Sequence, residues 1–226
     1  MVLAGCGVGT ALGAPADTME QRVAPCLACH GETGADLESG YAPRLHGKPA
    51  GYLFNQLVNF REGRRYNHAM NLMVAHLSDA YLWEMSEFFA EAEAPYADPV
   101  TTPAGSETLR RGRQLATEGD AALNIPSCQS CHGERLTGVE PNTPGLVGLP
   151  RFYIMAQLGA WRAGTRRAAE PDCMHDIANS LSGSDTQAVA TWLASQPVPE
   201  DPSPAQEPAV EPPMECGSVN LPGYEQ

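Results

Sequence analysis

At 226 residues, 42 % of them apolar, the chain is long enough for one large or two small globular cores, and no run of about 18 apolar residues marks a membrane-spanning helix. The formal charge of −13, from 27 acidic and 14 basic residues, argues against nucleic acid as a partner, because phosphate binding needs a basic face. Lys48 is the only lysine, which excludes a docking ring of lysines.

The chain opens with Leu3-Ala4-Gly5-Cys6, which resembles a bacterial lipobox, where the signal is cut before a cysteine that is then acylated. Only two residues precede Leu3, too few for the basic and apolar regions of a signal. A start further upstream, or an ordinary cleavage near Ala11-Leu12-Gly13 or Ala14-Pro15-Ala16, therefore stays open. Either reading exports the chain, and residues 1–16 are expected to be a signal remnant or an extension.

A first domain is expected over 17–95. A helix from Asp17 to Leu27 leads into Cys26-Leu27-Ala28-Cys29-His30, and turn residues from Gly31 to Gly40 precede Pro43-Arg44-Leu45-His46-Gly47. Leu53, Leu57 and Phe60 recur at helical spacing from Tyr52 to Glu62, with Gly63 as a stop. The stretch from Arg64 to Ala75, carrying Met70, is expected to be a loop. Ser78 reads as an N-cap for an amphipathic helix from Tyr81 to Ala92.

Residues 96–105, rich in Pro, Thr and Gly, read as a linker. A second domain follows over 106–197, with helices at Ser106–Thr117, Tyr153–Arg162 and Ser184–Ser195 around Cys128-Gln129-Ser130-Cys131-His132. Pro43 and Pro144, Leu45 and Leu146, Gly47 and Gly148, Phe60 and Trp161, Gly63 and Gly164, and Arg65 and Arg166 are each 101 apart. The motif histidines are 102 apart, so duplication of one fold is the economical reading. Residues 198–226 are acidic and proline-rich, and the expectation is an extended surface tail that builds no core.

Each C-x-x-C-H places two thiols where they can add to the vinyl groups of a haem while the next imidazole binds its iron. A zinc ribbon would bring two such pairs within about 20 residues, whereas Cys29 and Cys128 are 99 positions apart. A thioredoxin-like motif needs no following histidine and sits in a strand–helix pattern that is missing here. Two covalent haem c groups on Cys26, Cys29, Cys128 and Cys131, with His30 and His132 as iron ligands, are therefore expected.

A thioether on the opposite iron face favours the ferrous state, which suits an electron carrier. Met70 lies 40 residues after His30 and Met174 lies 42 after His132, each followed seven positions later by Leu-Ser. That register prefers them, with Met73 the alternative in the first domain and His46, His68, His76 and His175 as other nitrogen donors. Pro43 and Pro144 are placed to offer a carbonyl to the histidine Nδ1–H, and Arg65 and Arg166 to pair with haem propionates. The seven cysteines less those of the motifs leave Cys6, Cys173 and Cys216. With Cys6 acylated or removed, a Cys173–Cys216 disulfide clamping the tail to the second haem loop is expected in an oxidising compartment.

The paired C-x-x-C-H motifs, the Pro-x-Leu-x-Gly after each, Phe60/Trp161-Arg-x-Gly and Met followed by Leu-Ser resemble the dihaem cytochrome c4 family over about Gln21 to Pro197. The resemblance implies an all-α fold of two tandem class I cytochrome c domains related by a pseudo-two-fold axis, with haems near their interface. It further implies a periplasmic, often membrane-associated carrier of single electrons from a cytochrome bc complex, or another periplasmic donor, to a haem-copper terminal oxidase. Residues 17–95 carry 11 acidic and 6 basic groups and 105–197 carry 9 and 8, so the two domains are expected to meet different partners. Alternatives are a fixed subunit of a respiratory supercomplex or dehydrogenase, a dihaem peroxidase or thiol-oxidising enzyme, and a gas sensor.

Overall fold

The computed structural model describes residues 17–31, 42–93, 95–96, 98–99 and 103–223. The lipobox cysteine Cys6 and the N-terminal segment lie outside the described residues. Helices dominate: α1 (Met19–His30), α2 (Ala50–Arg61), α3 (His68–Val74), α4 (Asp79–Glu91), α5 (Ser106–Thr117), α6 (Gln129–His132), α7 (Arg151–Arg162), α8 (Cys173–Ser180) and α9 (Gly183–Ala194). The pair β1 (Gly138–Val139) and β2 (Thr143–Pro144) forms a short antiparallel ladder in an otherwise helical chain. No helix among the described residues is long and apolar enough to cross a membrane.

Local chemistry accounts for the boundaries. Thr18 and Gln21 form a capping box at α1, Ser78 caps α4, and Ser182 with Asp185 forms a second box at α9. α2 and α7 begin directly after Pro49 and Pro150, earlier than the apolar spacing places them, because proline tolerates the unpaired first turn. The stretch expected to be a loop around Met70 contains α3, whose cap is Asn67 accepting from Met70 N. Seven residues are too few to show a helical period.

Buried apolar side chains form two clusters. One takes Val23, Leu53, Phe54, Val58, Leu82 and Phe89; the other takes Leu115, Ile125, Leu158, Trp161, Val189 and Leu193. The tail departs from expectation, because Leu221, only 6 % exposed, belongs to the first cluster. The tail runs beside the second half, where Ala205 bridges Val139 and Cys216 is bonded to Cys173, and then crosses to the first. There Ser218 and Val219 N bond the buried Asn55. The proline-rich run as far as Pro213 obeys its composition; Val219 and Leu221 beyond it are apolar enough to bury.

The halves meet through a reciprocal contact. Arg65 and Arg166 pair in an antiparallel bridge, flanked by Tyr66 N to Thr165 O at 2.8 Å and Arg167 N to Arg64 O at 2.7 Å. Repeat-equivalent residues facing each other across one contact place a local two-fold axis between them, the self-complementary geometry of a symmetric interface.

Candidate haem centres

α6 carries Cys131 and His132, with Cys128 at its N-terminal edge, and Gly133, at φ 84°, turns the chain out of the helix. The His132 ring is buried and its Nδ1 lies 2.7 Å from the carbonyl oxygen of Pro144 on β2. In the first half α1 ends at the buried His30, whose Nδ1 lies 2.7 Å from the Pro43 carbonyl. A carbonyl only accepts, so each Nδ1 carries the proton and each Nε2 keeps its lone pair. Burial pushes both imidazoles below the usual histidine pKa, which keeps them in the neutral form that binds metal.

Around His132 lies a cavity of about 250 Å³. It brings together Cys128, Cys131, Pro144, Met174 and Arg166, with Leu115, Trp161, Val189 and Leu193 as apolar wall. Cys128 and Met174 pack against the second core, as Cys26 and Met70 do against the first. Met73 is 49 % exposed, whereas Met70 is half-buried. His68 and His76 are exposed, and the His175 ring contacts Asn179. His46 is buried edge-on to Phe89, and its Nδ1 has no hydrogen-bond partner among the described residues. The four motif cysteines form no disulfide, while Cys173 and Cys216 are joined to each other. Burial pushes the Cys128 thiol up to about 12, so as a free thiol it stays protonated at neutral pH.

Between the two halves lies a polar cluster that joins Arg65 and Arg166 to partners not among the expected site residues. Arg65 donates to Gln56 (2.9 Å), Gln157 (2.7 Å) and Tyr153 (3.3 Å); Arg166 donates to Gln157 (2.7 Å), Gln56 (3.1 Å) and Tyr52 (3.4 Å). Each guanidinium also stacks on the aromatic ring of its own half, Arg65 on Phe60 and Arg166 on Trp161. These arginines, expected to pair with propionates, also bond across the interface between the halves. The signal for their partners was legible, since Tyr52 and Tyr153, and Gln56 and Gln157, are also 101 apart.

Among the described residues no carboxylate forms an ion pair with Arg65, Arg166 or the half-buried Lys48. Burial resists ionisation of Tyr52, but Arg166, Arg65 and Lys48 outweigh it and pull its hydroxyl down to about 8. Trp161, on the cavity wall, has a buried Nε1 without an acceptor among the described residues. An apolar slot, a cluster of buried cations lacking anions and an unanswered indole N–H fit a flat apolar ring that carries two carboxylates. Haem is such a group, and the paired thiols and neutral imidazole are the donors it requires.

No family model matches the chain. Over 77 % of its length it is 39 % identical to a thiosulfate dehydrogenase electron acceptor of Thiomonas intermedia, covering 80 % of that protein. It is 31 % identical to a cytochrome c4 of Pseudomonas aeruginosa over 77 % of this chain and 85 % of that one. Among solved structures, the as-isolated thiosulfate dehydrogenase TsdBA of Marichromatium purpuratum superposes with a TM-score of 0.67 at 32 % identity over 76 % of this chain. That match takes in 36 % of the dehydrogenase polypeptide, so this chain spans about a third of it.

Proposed function

Because the chain belongs to the dihaem cytochrome c4 family, we propose that it accepts single electrons from a thiosulfate-oxidising dehydrogenase and passes them towards a haem-copper terminal oxidase. It is an electron-transfer protein with two covalently bound haem c groups. The donor assignment is carried by its 39 % identity with a named thiosulfate dehydrogenase electron acceptor. Likeness to part of a thiosulfate dehydrogenase chain supports it further.

In this reading Cys26 and Cys29 hold one haem, Cys128 and Cys131 the other, and the iron of each supplies a one-electron ferric/ferrous couple. His30 and Met70 bind the first iron, His132 and Met174 the second. Held by these histidines and methionines, each group would leave no open site for substrate and would supply outer-sphere transfer of one electron. The Pro43 and Pro144 carbonyls fix the imidazole rings and strengthen them as donors. The apolar walls exclude water, and Arg65, Arg166 and Lys48 supply positive charge at the interface that favours the reduced state. Export to the periplasm is supported by the disulfide and the covalent attachment motif. Acylation of Cys6 would tether the protein to a membrane.

A second reading, with a cytochrome bc complex as donor, is favoured by the likeness to cytochrome c4. Stopped-flow mixing separates the two. The ferric protein should be fully reduced by thiosulfate with its own organism's dehydrogenase, and not by thiosulfate alone. Reduction only by quinol with a bc complex would overturn the first reading in favour of the second.

A further inference from the structure

The repeat keeps a spacing of 101 through Arg65 and Arg166, but Met70 and Met174 are 104 apart. The second half therefore carries three extra residues between its interface arginine and its methionine. Each adds backbone freedom to the segment that must hold a sulfur in place.

That lengthened segment is where the tail is attached. Cys173, directly before Met174, is bonded to Cys216, closing a separation of 43 residues. Gly217 N donates to Pro171 O at 2.7 Å, and a Cβ on Gly217 would stand 2.3 Å from the carbonyl oxygens of Ala169 and Glu170. Only glycine lets the tail lie so close. On the inner side, buried Asp172 accepts from Ala168 N at 2.7 Å and from His175 N at 3.1 Å. Met214, Cys216 and Gly217 also line the cavity that contains His132 and Met174. In the first half a different device serves: Asn67 caps α3 through Met70 N, and the Asn71 amide donates to the carbonyls of Phe60 and Arg65.

We propose that Cys173 and Cys216 are positioning residues for the second iron. Their disulfide makes the tail a wall of the second haem cavity and holds Met174 against it, rendering the two haems inequivalent in a duplicated fold. The covalent link removes the freedom that three extra residues introduce. Loss of the sulfur, or entry of water, lowers the reduction potential of that haem alone. The proposal rests on the reading of Met70 and Met174 as ligands.

The test is proton NMR of the reduced, full-length holoprotein, in which a methionine methyl bound to low-spin ferrous haem is shifted far upfield by the ring current. The disulfide-intact protein should show two such signals; fewer than two would overturn the ligand reading itself. In Cys173→Ser/Cys216→Ser one signal should be lost or broadened and the other unmoved, the latter reporting an intact first domain. A potentiometric titration should move one of its two steps to lower potential. Cys173→Ala/Cys216→Val, which keeps apolar contact without the bond, should behave alike. Two unmoved methyl signals and two unmoved steps in either variant would overturn the positioning role.

Discussion

Arg65 and Arg166, 101 positions apart, face each other across the interface, and each bonds the glutamine and tyrosine of the opposite half. The exchange is complete: Gln157 and Tyr153 serve Arg65 as Gln56 and Tyr52 serve Arg166. One device thus joins the domains and concentrates positive charge between them.

Removing either guanidinium should weaken that joint. Arg65→Leu should strand the Tyr153 hydroxyl and Arg166→Leu that of Tyr52, each costing about 1–3 kcal/mol in denaturant unfolding. The double variant should cost more than the sum, because only then do Gln56 and Gln157 lose both of the donors they share. Each single variant should also lower a reduction potential, since positive charge favours ferrous over ferric iron. Additive losses would show that the two arginines act independently.

The choice between neighbouring methionines can be checked optically. Met174→Ala and Met70→Ala should each open one iron to carbon monoxide and diminish the weak long-wavelength ferric band of sulfur ligation. Met73→Ala, at a side chain already 49 % exposed, should change neither. A carbon monoxide adduct in the Met73 variant would move the ligand assignment.

Leu221 should contribute as a core residue does. Leu221→Ala should destabilise the protein by about 2–4 kcal/mol in thermal or denaturant unfolding. Gly51→Ala should act on the same joint, because its Cβ would meet Pro141 O at 2.5 Å and Leu221 Cδ1 at 2.7 Å. A neutral result for both would mean that the tail is not packed in solution.

Acid should act through Arg111, which bonds Asp185 and Asp120, each at 2.7 Å, between α5, α9 and the turn before α6. Burial tends to raise the Asp185 pKa, but hydrogen bonds from Arg111 and Ser182 outweigh it and hold the carboxyl below its usual range. A carboxyl lowered on folding stabilises the protein above its unfolded value, about 3.9, and that stability fades as pH falls through the folded value. Asp185→Asn should therefore flatten the loss of stability below about pH 4 while lowering stability at pH 7. An unchanged acid slope would place the acid sensitivity elsewhere.

The longer helices and both attachment motifs were legible because an apolar period needs length, because haem chemistry demands fixed residue types at fixed spacing, and because the fold is written twice. The capped α3 was hidden by its brevity. The interface roles of Arg65 and Arg166 were missed because a lone arginine before a ligand loop suggests a propionate, while the matched Tyr52/Tyr153 and Gln56/Gln157 were not weighed as partners. Leu221 was lost in the composition of its segment, since an average over an acidic, proline-rich tail conceals one buried side chain.

That leucine also orders the assembly of the molecule in time. The N-terminal domain is made first, yet its hydrophobic cluster contains Leu221, 132 positions after Phe89 of the same cluster. It cannot close fully until the second domain has been made as well. A chain cut just before Leu221 would therefore spare the neighbouring C-terminal core and damage the domain made first.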